Sequence, residues 1–222
     1  LEHISELRNR LLWAVGALLI GTMISYHFSK DIYGFLVKPL AEAMGDGANQ
    51  RMIYTDLTEA FFTYLKVSMF AGGFFTFPFL ILQIWLFVAP GLFPKEKKAV
   101  IPFLVAAPTL FIAGGALVYY IVLPLAWKFF LSFQSSADET VLPIMLEAKV
   151  GDYLNLVMVL IFAFGICFQL PVVLAFMAKA KMITAKTLVS KRRYAIVGIF
   201  VVAAILTPPD VISQFSLAVP LL

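Results

Sequence analysis

The chain has 222 residues, of which 62% are hydrophobic and 14% are charged. Soluble domains contain about 45–50% apolar and about 25% charged residues, so this composition excludes an ordinary soluble protein, a disordered chain and a coiled coil. The mean hydropathy of +0.94 indicates a polytopic membrane protein. Membrane proteins keep basic loops in the cytoplasm, which explains the net charge of +4 without a nucleic-acid partner.

Cysteine and histidine are scarce, since Cys167 is the single cysteine and His3 and His27 are the two histidines. One cysteine cannot form an intrachain disulfide. A zinc site usually needs three or four Cys, His or carboxylate ligands. We therefore expect no metal and no cofactor. The chain begins without methionine and stops within an apolar run, so we expect both ends to be clipped.

Six apolar runs divide the chain, and we interpret residues 1–222 as a single transmembrane domain with six helices. A spanning helix needs about 20 apolar residues, which the second, third and fourth runs exceed. The fifth and sixth are short, so we expect a tight helical hairpin with local bilayer thinning or snorkelling flanks. The runs are 11–28, 67–89, 100–125, 153–178, 194–206 and 211–222, the last one clipped.

The charged residues fall in the loops and at the ends of the runs, with a strong bias between the two sides. Segments 1–10, 90–99 and 179–193 hold 11 basic and three acidic residues, a net charge of +8, and the opposite segments carry −4. By the positive-inside rule, the first set is cytoplasmic and both termini lie inside. No run has an ionisable residue at its centre, which disfavours a proton-coupled carrier.

Two helical features are predicted in the first outer loop, and a third is predicted at the end of the second outer loop. Residues 31–44 form an amphipathic helix bent at Pro39, which lies either in the membrane interface or packed as a connecting helix. Asp56 followed by Glu59 resembles a capping box before the second span. The pair at 151–152, Gly then Asp, predicts an N-terminal cap for the fourth span.

Prolines and glycines punctuate the apolar runs. Kinks at Pro108 and Pro171 would curve their helices into a concave bundle, because proline removes a backbone donor. The glycine pairs at 72–73 and 114–115 would let helices approach closely.

Two acidic residues stand out on the basic side. Glu6 and Glu96 lie, with Glu2, among the 11 bases, and the stiff turn at 87–94 holds Glu96 near the membrane surface. Such carboxylates either bind a cationic ligand or form surface ion pairs with neighbouring lysines. Exposed pairs contribute about 0–1 kcal/mol, and composition alone favours them.

Gln169 is a polar residue in the fourth span, just before Pro171. An amide in hydrocarbon costs a few kcal/mol unless it has a partner. Gln169 forms either an interhelical hydrogen bond within the chain or a contact with the membrane helix of a second protein. Thr207, Asp210 and Gln214 extend a polar patch at the outer end of the last two spans.

Four motifs in chain order together resemble the TatC family, the core integral-membrane subunit of the twin-arginine protein translocase. They are HISELRNRLL at 3–12, FVAPGLFPKEKK at 87–98, FGICFQLPV at 164–172 and LTPPDVISQ at 206–214. The resemblance implies an all-α polytopic membrane protein with six helices in a concave, glove-like bundle. Both termini would lie in the cytoplasm.

The resemblance also implies the site residues. Glu6 and Glu96 match acidic residues that receive the arginines of a signal peptide, with Arg8 in the same motif and Phe87 beside them. Functionally sensitive positions of the first outer loop are matched by Pro39 and Asp56. A TatA- or TatB-type helix would dock at Gln169, Thr207, Asp210 and Gln214. The family often has glutamate where this chain has Gln169, so no proton-handling role is expected there.

The implied function is that of a receptor and scaffold subunit without bond chemistry. It would bind twin-arginine signal peptides of folded precursors at its cytoplasmic face. It would dock TatA and TatB for export driven by the proton-motive force, as a homo-oligomer within the complex. The implied location is the bacterial cytoplasmic (inner) membrane, in contact with lipid.

Two other classes were weighed against this function. A small-solute transporter or channel needs a continuous polar path across the midplane, and Gln169 alone is too little for one. An intramembrane enzyme needs a nucleophile or metal set, and the sequence contains no G-x-S-x-G, H-E-x-x-H or Walker motif. We retain the transporter as the main alternative.

Overall fold

The computed structural model of the chain describes residues 2–45, 51–88, 94–135, 146–179, 183–207 and 211–221. Within these ranges helices are the only regular secondary structure, apart from isolated bridging residues such as Ile53 and Lys149. The all-α prediction is therefore confirmed. The elements are α1 (Glu2–His27), α2 (Ser29–Met44), α3 (Glu59–Val88), α4 (Pro94–Leu117), a π-helical turn (Val118–Val122), α5 (Leu123–Leu131), α6 (Val150–Cys167), α7 (Leu170–Lys179), α8 (Ala185–Leu206) and α9 (Val211–Leu221).

Four stretches of the described chain are long and apolar enough to cross a membrane, and they match the first four predicted runs. The predicted fifth and sixth runs fall in α8 and α9. Helix α8 begins at Ala185, before the apolar run at 194–206, because lysine and arginine extend a helix as well as most apolar residues do. The four stretches are Ile4–His27, Glu59–Phe87, Pro102–Leu131 and Val150–Lys179.

The two prolines expected to kink their spans behave differently. Pro171 has no amide hydrogen to bond the carbonyl of Cys167, and α6 ends at Cys167. A tight turn follows, in which the backbone amide of Gln169 donates to the carbonyl of Ile166 at 2.9 Å. Pro108, in contrast, lies inside α4, which continues through it.

Helix α6 lies at the centre of the core and contacts α2, α3 and α4. Its residues Leu154, Val157 and Phe164 are fully buried. A Cβ atom added at Gly114 of α4 would lie 2.7 Å from the carbonyl oxygen of Phe164. The glycine therefore sets the close approach of α4 and α6 that the sequence predicts.

Helix α1 packs along α3 through small residues, and its other faces are exposed. A Cβ atom at Gly72 would lie 2.6 Å from the backbone nitrogen of Thr22. Large apolar side chains such as Trp13, Leu19 and Met23 point away from the rest of the chain. In a membrane these side chains contact lipid or other helices, as expected for a span at the edge of a bundle.

Candidate functional site

Glu6 lies in the first two turns of α1 and is held by an arginine of the same helix. Arg10 donates to Glu6 Oε1 from Nη2 at 2.8 Å and from Nε at 3.2 Å. The spacing of four residues brings the two side chains onto one face of the helix. About a third of the Glu6 side chain stays exposed, and Arg8 is exposed as well. The carboxylate is thus already bound to a guanidinium and still reachable from solvent.

Glu96 and Phe87 stand at the ends of the two helices that follow. Phe87 lies half-buried in the last turn of α3. Glu96 is the third residue of α4, where the helix dipole favours a negative charge. The Glu96 side chain and the linker 89–93 lie outside the described part of the structure. The pairing of Glu6 with Glu96 in one site stays a prediction.

The side chain of Gln169 forms hydrogen bonds within the chain. Its amide nitrogen Nε2 donates to the carbonyl of Ala107 on α4 at 3.0 Å and to the carbonyl of Gly165 at 3.3 Å. Ala107 is buried, so the bond links the junction of α6 and α7 to α4 in the bundle interior. This is the interhelical hydrogen bond that the sequence allows, and it satisfies one part of the amide.

The polar residues near the end of α8 also have partners inside the chain. Thr207 is buried, and its hydroxyl donates to the carbonyl of Ala203 at 2.8 Å. Gln214 of α9 donates from Nε2 to the carbonyl of Phe200 at 3.4 Å. Asp210 lies outside the described residues. Gln214 therefore links α9 to α8, whereas the hydrogen bond of Thr207 lies within the last turn of α8.

Pro39 lies inside α2 and removes one backbone hydrogen bond of the helix, which a tyrosine hydroxyl replaces. Because proline has no amide hydrogen, the carbonyl of Phe35 loses its helical donor. The hydroxyl of Tyr119 donates to that carbonyl at 2.7 Å, and the two rings stack with centroids 4.2 Å apart. Tyr153 donates to the next carbonyl, that of Leu36, at 2.9 Å, although Pro39 does not remove the helical donor of this carbonyl. Sequence reasoning missed both tyrosines.

Helix α2 is anchored in the protein core by its apolar face. Leu36 and Leu40 are only 1% exposed, and the helix packs against α3 and α5. Of the two interpretations left open for residues 31–44, the packed connecting helix is the one that the structure supports.

Glu59 joins the loop before α3 to α6. As a capping box requires, the amide of Asp56 interacts with the Glu59 carboxylate. The carboxylate also accepts from the amide of Thr55 at 3.0 Å and from the amide of Gly151 at 2.9 Å. Lys149 Nζ lies 3.9 Å away. Glu59 therefore caps α6 from a distant part of the chain. We call these contacts the Glu59 clamp.

The cap predicted at 151–152 is wrong, because the carboxylate that caps α6 comes from Glu59. Helix α6 begins at Val150, and Lys149 precedes it without a side-chain cap. Gly151 is a partner of Glu59 and gives no cap of its own, and Asp152 is exposed. Backbone hydrogen bonds of Ile53 with Ala148 and Val150, at 3.0 and 2.9 Å, reinforce the clamp.

Asp56 is exposed and organises the turn before α3. Its Oδ1 accepts from the amide of Thr58 at 3.0 Å and from the hydroxyl of Thr58 at 3.1 Å. These hydrogen bonds favour the charged carboxylate and lower the pKa of Asp56 below its usual value. The predicted importance of Asp56 in the outer loop is not tested by this geometry.

An apolar cavity of about 500 Å³ lies between α2, α3 and α4. Aromatic and aliphatic side chains form most of its wall, among them Phe35, Phe70 and Phe74, and Asp31 is the charged group at its edge. Such a wall offers no polar path to a small solute. Among the described residues, no group of three His, Cys, Asp or Glu side chains could hold a metal ion.

Comparison with known proteins gives one consistent result along the chain. Residues 2–220 match the family described as Sec-independent protein translocase protein (TatC). The chain is 53% identical to a relative of that name from Magnetococcus marinus, over 100% of this chain and 79% of the relative. A second such relative, from Rickettsia prowazekii, is 48% identical over 100% of this chain and 87% of the relative.

Two solved structures, titled as crystal structures of the twin-arginine translocase receptor TatC, have the same fold. One superposes with a TM-score of 0.81 at 36% identity, covering 99% of this chain and 92% of that chain. The other, in the detergent DDM, has a TM-score of 0.83 at 37% identity and covers 99% and 94%. The chain therefore belongs to the TatC family, as a multi-pass membrane component of a protein translocase and not an enzyme.

Proposed function

We propose that this chain is the receptor and scaffold subunit of a twin-arginine translocase. Its cytoplasmic face binds the paired arginines of signal peptides on folded precursors. The observation that carries the proposal is the contact of Glu6 with Arg10, at 2.8 Å. Glu6 already holds one guanidinium in a geometry that a signal-peptide arginine can adopt.

The chemistry favours arginine over lysine. A guanidinium binds a carboxylate through two parallel N–H groups, whereas an ammonium is a point charge. Hydrogen bonds to charged groups contribute about 1.5–3 kcal/mol each. Two of them, one at Glu6 and one at Glu96, correspond to a site of roughly millimolar affinity. Burial of the apolar segment of the signal peptide supplies the rest, and exposed Leu7 and Leu11 offer surface beside Glu6.

The orientation follows from the charge bias of the loops. Six spans in one transmembrane domain, with both termini inside, place Glu6 and Glu96 on the same cytoplasmic face. The membrane is then the bacterial cytoplasmic membrane, across which the proton-motive force acts. The outer loop with Pro39 and Asp56 lies on the opposite side, where the Glu59 clamp keeps it ordered.

Partner helices of the TatA and TatB type dock near Gln169, Thr207, Asp210 and Gln214. Val197, Val201 and Ile205 leave an exposed apolar stripe on α8, suitable for a second membrane helix. The complex contains more than one copy of the chain.

Photocrosslinking tests the receptor site. A photoreactive phenylalanine analogue in place of Phe87, which keeps both Glu6 and Glu96, should crosslink to a radiolabelled twin-arginine precursor in membranes. Replacing both arginines of the signal with lysine, or changing Glu6→Gln, should abolish the product. A probe at position 152, on the predicted outer side, is the matched control and should give no product. An unchanged crosslink with the lysine pair would show that Glu96 is not an arginine receptor. No crosslink from an inserted, folded protein would reopen the transporter interpretation.

A further inference from the structure

The first turns of α8 carry a set of bases that the proposed function does not use. Lys186, Lys191, Arg192 and Arg193 are all exposed, and we call them the basic collar. Between Asp152 and Asp210 the sequence has no acidic residue. Within the described part of the chain, none of the four lies within ion-pair distance of a carboxylate. Among the described residues, no ion pair therefore balances the positive charge of the collar.

The collar covers more than one face of the helix. Successive residues of an α-helix are about 100° apart, so the side chains of Lys191, Arg192 and Arg193 leave the backbone at three positions around more than half of the circumference. Lys186 lies about two turns, or about 10 Å, before Arg193. A protein groove contacts one face of a helix, but a layer of lipid headgroups meets a crossing helix on all sides. The arrangement thus favours a membrane surface over a protein partner.

Tyr194 indicates where the collar lies relative to the membrane surface. Tyr194 lies beside it, with Lys191 Nζ 5.5 Å and Arg193 Cζ 4.8 Å from the ring centroid. Arg193 also donates to the Tyr194 hydroxyl at 3.1 Å. Tyrosine is enriched where a membrane helix passes from headgroups to hydrocarbon. The residues that follow, 195–206, are all apolar or glycine, so the collar lies at headgroup level.

We propose that the basic collar binds the phosphate groups of anionic phospholipids and so holds the short hairpin of α8 and α9 at the membrane surface. The arginines bind phosphate through their N–H forks and the lysines as point charges. The apolar stretch after Tyr194 spans only about 18 Å of helix, against about 30 Å of hydrocarbon. A helix that is this short gains from headgroups drawn toward its basic end.

The test measures lipid binding by the purified full chain in nanodiscs of phosphatidylcholine with spin-labelled phosphatidylglycerol. The triple variant Lys191→Gln, Arg192→Gln, Arg193→Gln should bind the labelled lipid about 100-fold more weakly at low salt, with a smaller difference at high salt. The matched control, Lys30→Gln, Lys38→Gln, Lys66→Gln, removes the same charge from the opposite loops and should bind normally. Arg192→Lys with Arg193→Lys should retain most of the affinity.

Three results would overturn the proposal. The collar variant could bind phosphatidylglycerol normally, both triple variants could lose binding equally, or inorganic phosphate could displace the lipid at equal concentration. The last result would assign the collar to free phosphate. Thermal unfolding in pure phosphatidylcholine shows whether the variant is folded, and the single variant Arg192→Gln replaces it if it is not. The assay contains no signal peptide, so its outcome does not depend on the receptor site at Glu6 and Glu96.

Discussion

Two nitrogens of Arg10 share one oxygen of Glu6, with Nη2 at 2.8 Å and Nε at 3.2 Å from Oε1. The second carboxylate oxygen has no part in this contact, so it is open to another donor. Exposed ion pairs four residues apart on a helix contribute only about 0.3–0.5 kcal/mol. Under the proposed function, a signal-peptide arginine would therefore share Glu6 with Arg10 or displace it at little cost in free energy.

Arg10→Gln should strengthen the binding of a twin-arginine peptide. It removes both a competitor and a like charge, and the loss of the ion pair alone corresponds to about a twofold change in affinity. Titration of a fluorescent peptide into the detergent-solubilised protein measures the effect. Glu6→Gln should weaken binding, and Lys30→Gln, far along the sequence, is the charge-matched control. Weaker binding by Arg10→Gln would mean that Arg10 itself contacts the signal peptide or positions Glu6.

Tyr119→Phe should destabilise the protein by about 0.5–1.5 kcal/mol, because the carbonyl of Phe35 loses this hydrogen bond. Pro39→Ala restores an amide to that carbonyl, so the double variant should lose less than the sum of the two single changes. Unfolding in detergent measures the coupling. Tyr120→Phe removes the hydroxyl of a tyrosine that is 70% exposed and should be close to neutral. Additive single effects would contradict the proposed replacement of one donor by another.

Glu59→Gln should loosen the start of α6. The glutamine keeps one acceptor oxygen, so either the amide of Gly151 or that of Thr55 loses its partner, and the attraction to Lys149 is lost. Hydrogen exchange at Gly151 and Tyr153 should become faster. Gly151→Ala should act similarly, since its Cβ would lie 2.8 Å from Glu59 Oε1. Asp152→Asn, in the same turn, is the control. Equal acceleration by this control would assign the effect to helix charge.

Asp56 should make the outer loop sensitive to acid. The pKa of Asp56 is lowered in the folded state, so its stabilising contribution is complete above its unfolded value near 3.8 and is lost as pH falls through the folded value. The melting temperature of Asp56→Asn should therefore fall less between neutral and acid pH than that of the parent. Thr58→Val removes one of the two hydrogen bonds and should give an intermediate curve. Parallel curves would mean that Asp56 titrates alike in both states.

Gly72→Ala should separate α1 from α3. The new Cβ would lie 2.6 Å from the backbone nitrogen of Thr22, and overpacking of this kind costs about 1–3 kcal/mol. Gly16→Ala on α1 is the matched control, because nothing lies within 4 Å of its Cβ position. It should be neutral or slightly stabilising. Crosslinking between cysteines introduced in the two helices reports their separation, and an unchanged yield would show that the contact can relax.

The features that local sequence determines, the long apolar helices and the break at Pro171, were predicted correctly. Hydropathy located the four long spans, and the missing amide of Pro171 located the break between α6 and α7. The same rule predicts that Pro39 leaves a carbonyl unpaired, but it does not say which donor replaces the amide. Tyr119 is 84 residues from Phe35, and no local pattern links them. The cap of α6 failed as a prediction for the same reason.

In the candidate site, too, partners that are close in sequence could be predicted and distant partners could not. Glu6 was found by its charge contrast with its surroundings, and its partner Arg10 is local. Gln169 was found as an isolated polar residue, yet its acceptor Ala107 is 62 residues away and became known only from the fold. Hydropathy located the apolar part of α8 at 194–206 but not the basic extension that begins at Ala185.

The Glu59 clamp also implies an order of folding events during synthesis of the chain. Glu59 leaves the ribosome 92 residues before Gly151, so the acceptor for the first turn of α6 is in place before that helix is made. Chains fold from the N-terminus during synthesis, and α6 therefore inserts against a partner that is already waiting. If the loop that carries Glu59 folded late, the amide of Gly151 would lack its acceptor and the first turn of α6 would form without its cap.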